Sequence, residues 1–505
     1  MSLVSNTFLL FTLAAVILYY LAPARVKWIV LLLFSCLYYL SGNAKYFLFI
    51  LYSICVTWLF GLWISRLQER EGTEKLQKRA VAAGLILNIG MLGVVKYSGF
   101  VIDILNRYFP LQSAGLQILF PLGISFYTFQ SSGYLLDVYW KKSTAQKNPF
   151  QYALFVSFFP QLLQGPIGNF GRLMPQLITP HRFDRQKFLR GLERILWGYA
   201  KKIIIADWAG VFADAVWGDL DRFGGLGLIA LLFYGIQLYA DFSGAMDVVI
   251  GIASLFGITL DENFRRPYLA VSMEDFWKRW HITLGEWMMN YVFYPFSLTD
   301  AMMRLSRWSK KKFGRKQGRM VPIALADLVV FFLVGIWHGA SWKYVVYGLL
   351  NGGIIAFSEL MGGRYDRMKN ALHISGKETW YYLFTVIRTF IIVNLRWFFD
   401  RSDSLTQAFY MIRQSFTHFD LTLLGQIPAG SLGTAYVPWA LLTIAVGCVV
   451  MVGVGILEER GMDVRQKITE TLPFPCVILL WFALFLMIGL FGCTAAPRGF
   501  IYAQF

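Results

Sequence analysis

Apolar runs alternate with short basic stretches along nearly the whole chain. A run of roughly 17–25 apolar residues is what an α-helix needs to cross a bilayer. The bilayer interior offers backbone polar groups no partner but the backbone itself, so such runs form helices. The pattern predicts an all-α, polytopic membrane protein with roughly 10–12 transmembrane helices plus re-entrant and interfacial ones. Expected spans are Thr7–Leu21, Trp28–Leu40, Tyr46–Ile64, Val81–Leu105, Leu116–Trp140, Ile203–Trp217 and Leu226–Leu255. Val321–Trp337, Tyr344–Leu360, Tyr381–Trp397, Trp439–Ile456 and Val477–Leu490 follow.

Three stretches depart from this pattern. Ala153–Ile167 is short and broken by Pro160 and Gly165-Pro166, which predicts a hairpin dipping into the membrane and returning. Tyr239–Asp247 places Asp241, Gly244 and Asp247 inside an apolar run, which predicts a broken helix. Asn263–Phe296 is amphipathic and aromatic. Ser272 with Asp275 resembles a capping box, and Trp277, Trp280, Leu284, Trp287 and Tyr291 recur at helical spacing. An interfacial helix is expected there, with His281 pointing inward.

Composition agrees with the membrane class. The 505 residues are 57% hydrophobic and 15% charged, against about 25% charged in a soluble domain. The net charge of +17 does not point to nucleic acid, because the basic residues sit in short loops between apolar runs. That is the positive-inside arrangement, and it also suits anionic membrane lipid. Alternation of the basic loops predicts the N-terminus outside, Lys310–Arg319 in the cytoplasm, and Arg401–Gly433 as the largest outside loop. The first apolar run has no basic leader and is expected to stay as a span rather than be cleaved. Residues 1–505 are expected to form one membrane-embedded domain. The five cysteines, Cys36, Cys55, Cys448, Cys476 and Cys493, form no C-x-x-C pair, so neither a disulfide framework nor a metal site is expected.

Chemistry concentrates at two imidazoles. His338 lies in the apolar stretch Ala324–Leu350, between Trp337 and Gly339, where one span turns into the next. An ionisable group at membrane depth is a functional candidate, although a core histidine that glues helices is the plainer alternative. Gly335 and Gly339 keep bulk away from its face. His281 lies upstream in SMEDFWKRWHITLGEW. Asp241 either lines a cavity, accepts bonds from a helix N-terminus or pairs with a lysine or arginine. Lys278, Arg279 and Trp337 are further substrate-binding candidates. The first two, with the run Arg307–Arg319, either attract an anionic donor or only set orientation.

Several blocks together resemble the membrane-bound O-acyltransferase superfamily, in its bacterial alginate O-acetyltransferase branch. They are FPLGISFYTFQSSGYLLDVYW, FFPQLLQGPI, LYADFSGAMDVVIGIASLFGI, ENFRRPYLAVSMEDFWKRWHITLGEWMMNYVFYPF, GIWHGASWKYVVYGLLNG and the terminal FIYAQF. The motif-bearing core spans about residues 116–353, with further spans in 1–115 and 354–505; Gly362–Pro438 matches nothing. The resemblance implies that His338 is the family's invariant histidine and His281 the branch's second functional one. It also implies an acyl donor on the cytoplasmic side, an acceptor at the other face and a central tunnel between them. An extracytoplasmic esterase-like partner would complete transfer to a cell-surface polysaccharide.

Acyl transfer to a hydroxyl needs a base for its proton and stabilisation of an oxyanion. His338 is expected as general base, and His281 as a group that orients a substrate or stabilises charge; an acyl-histidine intermediate is the other route. The expected activity is O-acetylation of a polysaccharide from acetyl-CoA or another acyl thioester, without a bound cofactor, in the bacterial inner membrane. The alternatives are D-alanyl transfer to teichoic acid and a non-catalytic transporter or flippase, for which the broken helix would be suited but no inverted repeat is visible.

Overall fold

The computed structural model describes residues 1–109, 121, 123–428, 433–493 and 499–501. Residues 116–120 and 122 of the expected span Leu116–Trp140, and residues 502–505 of the FIYAQF block, lie outside the described residues. Among the described residues there are helices and no strand, apart from an isolated bridge between Phe264 and Trp280. Eight of these helices are long and apolar enough to cross a membrane. They face outward with rows of Leu, Ile, Val and Phe that water would not tolerate in such number. The chain is a multi-pass, all-α membrane protein.

The chain divides into two compact units. The first holds Met1–Gly198 and Ala245–Glu262, with the terminal residues from Gly499. Its helices Phe47–Gln68, Glu74–Tyr108 and Ile124–Tyr139 meet over a buried polar knot. Asn88 donates to Ser132 at 3.0 Å, and Ser53 donates to Asn88 at 2.7 Å. Such bonds hold helices together where apolar contact alone gives no preference. Helix Pro149–Ser157 then ends in non-helical backbone. Phe158, Phe159, Leu162 and Gln164 are buried there, and Ser35 accepts the Phe159 amide at 3.1 Å. Irregular backbone is thus present where Pro160 and Pro166 predicted it, packed within the protein.

The second unit holds Tyr199–Gly244 and Asn263–Arg498. It opens with π-helical turns at Lys201–Ala206 followed by helix Asp207–Gly218. The expected break in YADFSGAMD is absent, because Gly227–Leu255 is one continuous helix. Its carboxylates need no loop to satisfy them. Lys202 Nζ lies 2.6 Å from Asp241, and in the first unit Arg194 Nε lies 2.8 Å from Asp247.

Asn263–Phe296 is likewise not one amphipathic helix. Met273–Arg279 and Ile282–Met288 are separate short helices with His281 between them at φ 49° and ψ 53°. Ser272 does cap the first, accepting the Asp275 amide at 3.1 Å. The basic run expected as a cytoplasmic loop is helical within Asp300–His338, and turns at Gly314, whose φ is 81°. The chain doubles back there, since Ser309 Oγ donates to the Gly318 carbonyl at 2.6 Å.

His338 ends that helix, and Trp342–Ala371 begins after Gly339, Ala340 and Ser341. The turn expected around His338 is therefore present. The two helices cross on glycine: a Cβ at Gly335 would sit 2.4 Å from the Tyr344 carbonyl oxygen and 2.9 Å from the Gly348 α-carbon. Helix Thr379–Arg401 packs next, and Arg401–Gly433 is no simple loop, for it includes helix Leu405–Thr417.

Candidate active site

All the candidate residues belong to the second unit. His338 is carried to its place by the last turn of a long helix. Its ring lies 4.9 Å from the Trp337 ring, 5.4 Å from Tyr347 and 6.0 Å from Tyr344. His281 reaches the same cluster from a different element. It is 2% exposed, with Phe242 edge-on at 5.0 Å and Trp337 at 5.8 Å. The Trp337 indole is thus a shared neighbour of both imidazoles. Spacing along the chain could not show that they meet.

His281 stands outside the spanning helices. Burial, with the His338 imidazole adding a smaller effect, pushes its pKa down to about 3. Both causes act against the charged form of the His281 ring. At neutral pH its imidazole is uncharged and able to accept a proton or a hydrogen bond.

The other sequence candidates divide. Trp337 belongs to the cluster. Asp241 is 1% exposed and sits in an ion triad: Lys202 Nζ is 2.6 Å from Asp241 Oδ1 and 2.7 Å from Asp207 Oδ1. This is the pairing with a lysine that the sequence offered as an alternative. Lys278 is bonded to Glu274 at 2.5 Å on an exposed helix face. Arg279 bridges Asp275 at 2.8 Å and Glu459 at 2.9 Å. Both cations are thus engaged with carboxylates rather than with either imidazole.

Sequence reasoning missed Arg396, which lies in the stretch that matched nothing. Its guanidinium is buried among rings, 4.6 Å from Phe276, 4.7 Å from Trp397 and 5.9 Å from Tyr347. Its Nη1 donates to Asn351. The signal was present, since an arginine inside the apolar run Tyr381–Trp397 is as costly as a histidine in one. Asn263 was also missed; its side-chain oxygen lies 3.2 Å from His281 Nδ1.

The arrangement holds two imidazoles, one of them uncharged at neutral pH, in an aromatic, water-poor cluster beside a buried cation. That set suits proton transfer and stabilisation of developing negative charge.

Comparison with known proteins agrees with this chemistry. The profile of MBOAT, the membrane-bound O-acyltransferase family, matches residues 144–306. The chain is 31% identical over 453 residues to the probable alginate O-acetylase AlgI of Azotobacter vinelandii, covering 88% of this chain and 84% of that one. It is 31% identical over 413 residues to the peptidoglycan O-acetyltransferase of Helicobacter pylori, covering 76% and 72%. The teichoic acid D-alanyltransferase of Bacillus subtilis is 28% identical over 233 residues, covering 45% and 56%. The chain belongs to the membrane-bound O-acyltransferase family and is a multi-pass O-acyltransferase.

Proposed function

We propose that this protein takes an acetyl group from a cytoplasmic thioester, acetyl-CoA in the first instance, and passes it across the bacterial inner membrane for O-acetylation of a cell-surface polysaccharide. An extracytoplasmic esterase-like partner completes the transfer. The observation that carries this reading is the convergence of His281 and His338 on Trp337. Relatives named for O-acetylation align over 76–88% of the chain, whereas the D-alanyltransferase aligns over 45%; this favours acetyl over D-alanyl.

In this reading His338 takes the proton of the attacking hydroxyl as its oxygen bonds to the thioester carbonyl carbon. The tetrahedral oxyanion then collapses, the C–S bond breaks, and the imidazolium returns the proton to the thiolate. Atoms and charge balance with no further reactant. A base of this kind contributes about 10²–10⁴-fold.

Thioester turnover by the purified, reconstituted chain tests the reading. With labelled acetyl-CoA and a polysaccharide acceptor, thiol release and label on the acceptor or the partner are expected. Faster turnover of a carrier-bound D-alanyl thioester would replace acetyl with D-alanyl. No thiol release from either thioester, with partner and acceptor present, would overturn the reading.

A further inference from the structure

The second histidine's role was left open by the sequence, and its surroundings decide it. Asn263 is fully buried, and its side-chain oxygen lies 3.1 Å from the Thr283 backbone nitrogen. A backbone N–H can only donate, so the atom facing it is the amide oxygen and not the nitrogen. Thr283 Oγ1 donates to the same oxygen at 3.0 Å. His281 Nδ1 lies 3.2 Å from it as well. An amide oxygen has no hydrogen to offer, so His281 Nδ1 must carry one. A neutral imidazole has a single N–H, which leaves Nε2 with a lone pair.

The backbone repeats the clamp. The Ile282 amide donates to the Asn263 carbonyl at 3.0 Å, and the Arg265 amide to the Arg279 carbonyl at 2.9 Å. These bonds stitch residues 263–265 to residues 279–282 across the Phe264–Trp280 bridge. They hold His281 in its left-handed conformation, where a non-glycine residue is uncommon. The Phe242 and Trp337 rings pack against the imidazole.

We propose that Asn263 is a positioning residue for acyl transfer: it locks His281 as the Nδ1–H tautomer, so Nε2 serves as an acceptor for a substrate O–H or N–H and not as an oxyanion donor. The inference rests on the reading that the two histidines serve acyl transfer. An amide suits this task better than a carboxylate. Aspartate at the same place would accept the same hydrogen bond but would also stabilise the imidazolium, as the acid of a catalytic triad does. Asparagine orients the ring and leaves it neutral.

The test uses Asn263→Asp and Asn263→Leu in the full-length purified protein, with acetyl-CoA as the thioester probe. It has two readouts: the pH profile of kcat/KM, and ¹⁵N NMR of labelled histidine, assigned by loss of one signal in His281→Gln. In the unsubstituted protein the hydrogen is expected on His281 Nδ1. Asn263→Asp should keep that tautomer and move the acidic limb of kcat/KM to higher pH, by about 1–3 units for an added neighbouring charge. Asn263→Leu should mix the tautomers and lower kcat by about 10²-fold or more, with KM for acetyl-CoA little changed.

A hydrogen on Nε2 in the unsubstituted protein overturns the proposal. So does an Asn263→Asp profile that superimposes on the unsubstituted one while acetyl transfer is intact. If Asn263→Leu does not fold, the near-isosteric Asn263→Asp and the spectrum decide alone. Absence of acyl transfer in every form, with the Nδ1–H tautomer present, would overturn the functional reading and the catalytic part of this one, but not the tautomer.

Discussion

At the scale of single residues, burial separates the candidates more sharply than residue type. Asp241 and His281 are both almost fully buried, yet they do different things. Asp241 shares Lys202 with Asp207, all three side chains being at most 7% exposed. Removing the shared cation leaves uncompensated charge in a dry interior, whereas removing one aspartate leaves a paired lysine. Lys202→Met strands two carboxylates and should cost about 3–5 kcal/mol. Asp241→Asn leaves Lys202 paired with Asp207 and should cost less. Thermal unfolding in detergent checks this: the Lys202 variant should melt lower than the Asp241 variant, and the double variant should recover part of the loss. If Asp241→Asn keeps its melting temperature but weakens substrate binding, Asp241 is a ligand-binding residue after all.

At the scale of elements, the hairpin of Asp300–His338 and Trp342–Ala371 decides where His338 stands. Its crossing is backbone against backbone, with Gly335 on Gly348. Gly335→Ala should therefore force the helices apart, at about 1–3 kcal/mol for overpacking, and reduce activity by displacing His338. Gly353→Ala, where an added Cβ meets nothing within 4 Å, should leave activity unchanged and should not lower the melting temperature, since alanine is the better helix former. Equal behaviour of the two variants would contradict the crossing. This hairpin was legible in the sequence because Gly335, Gly339 and the apolar pattern are local. The break at His281 was not, since the residue that imposes it, Asn263, lies upstream of the helical periodicity. The helix through YADFSGAMD was missed for a similar reason. A carboxylate in an apolar run predicts a break only until its partner is known, and Lys202 is 39 residues away. At Gly314 the basic run hid a helical turn, because charge reports sidedness and not backbone shape.

At the scale of the whole molecule, the membrane class followed from composition and hydropathy alone, since few other chains carry so much apolar surface. The site residues split by origin. His281 and His338 stood in recognisable blocks, whereas Arg396 and Trp397 came from the stretch that resembled nothing and reached the site only through helix Thr379–Arg401. We propose that the buried imidazole pair performs acyl transfer. The most direct measurement is ester formation by His338→Ala beside the unsubstituted protein, both purified, reconstituted and matched in melting temperature. A folded variant is expected whose ester formation falls by about 10²–10⁴-fold, with acetyl-CoA binding little changed. Near-normal ester formation by the folded variant would contradict the proposal.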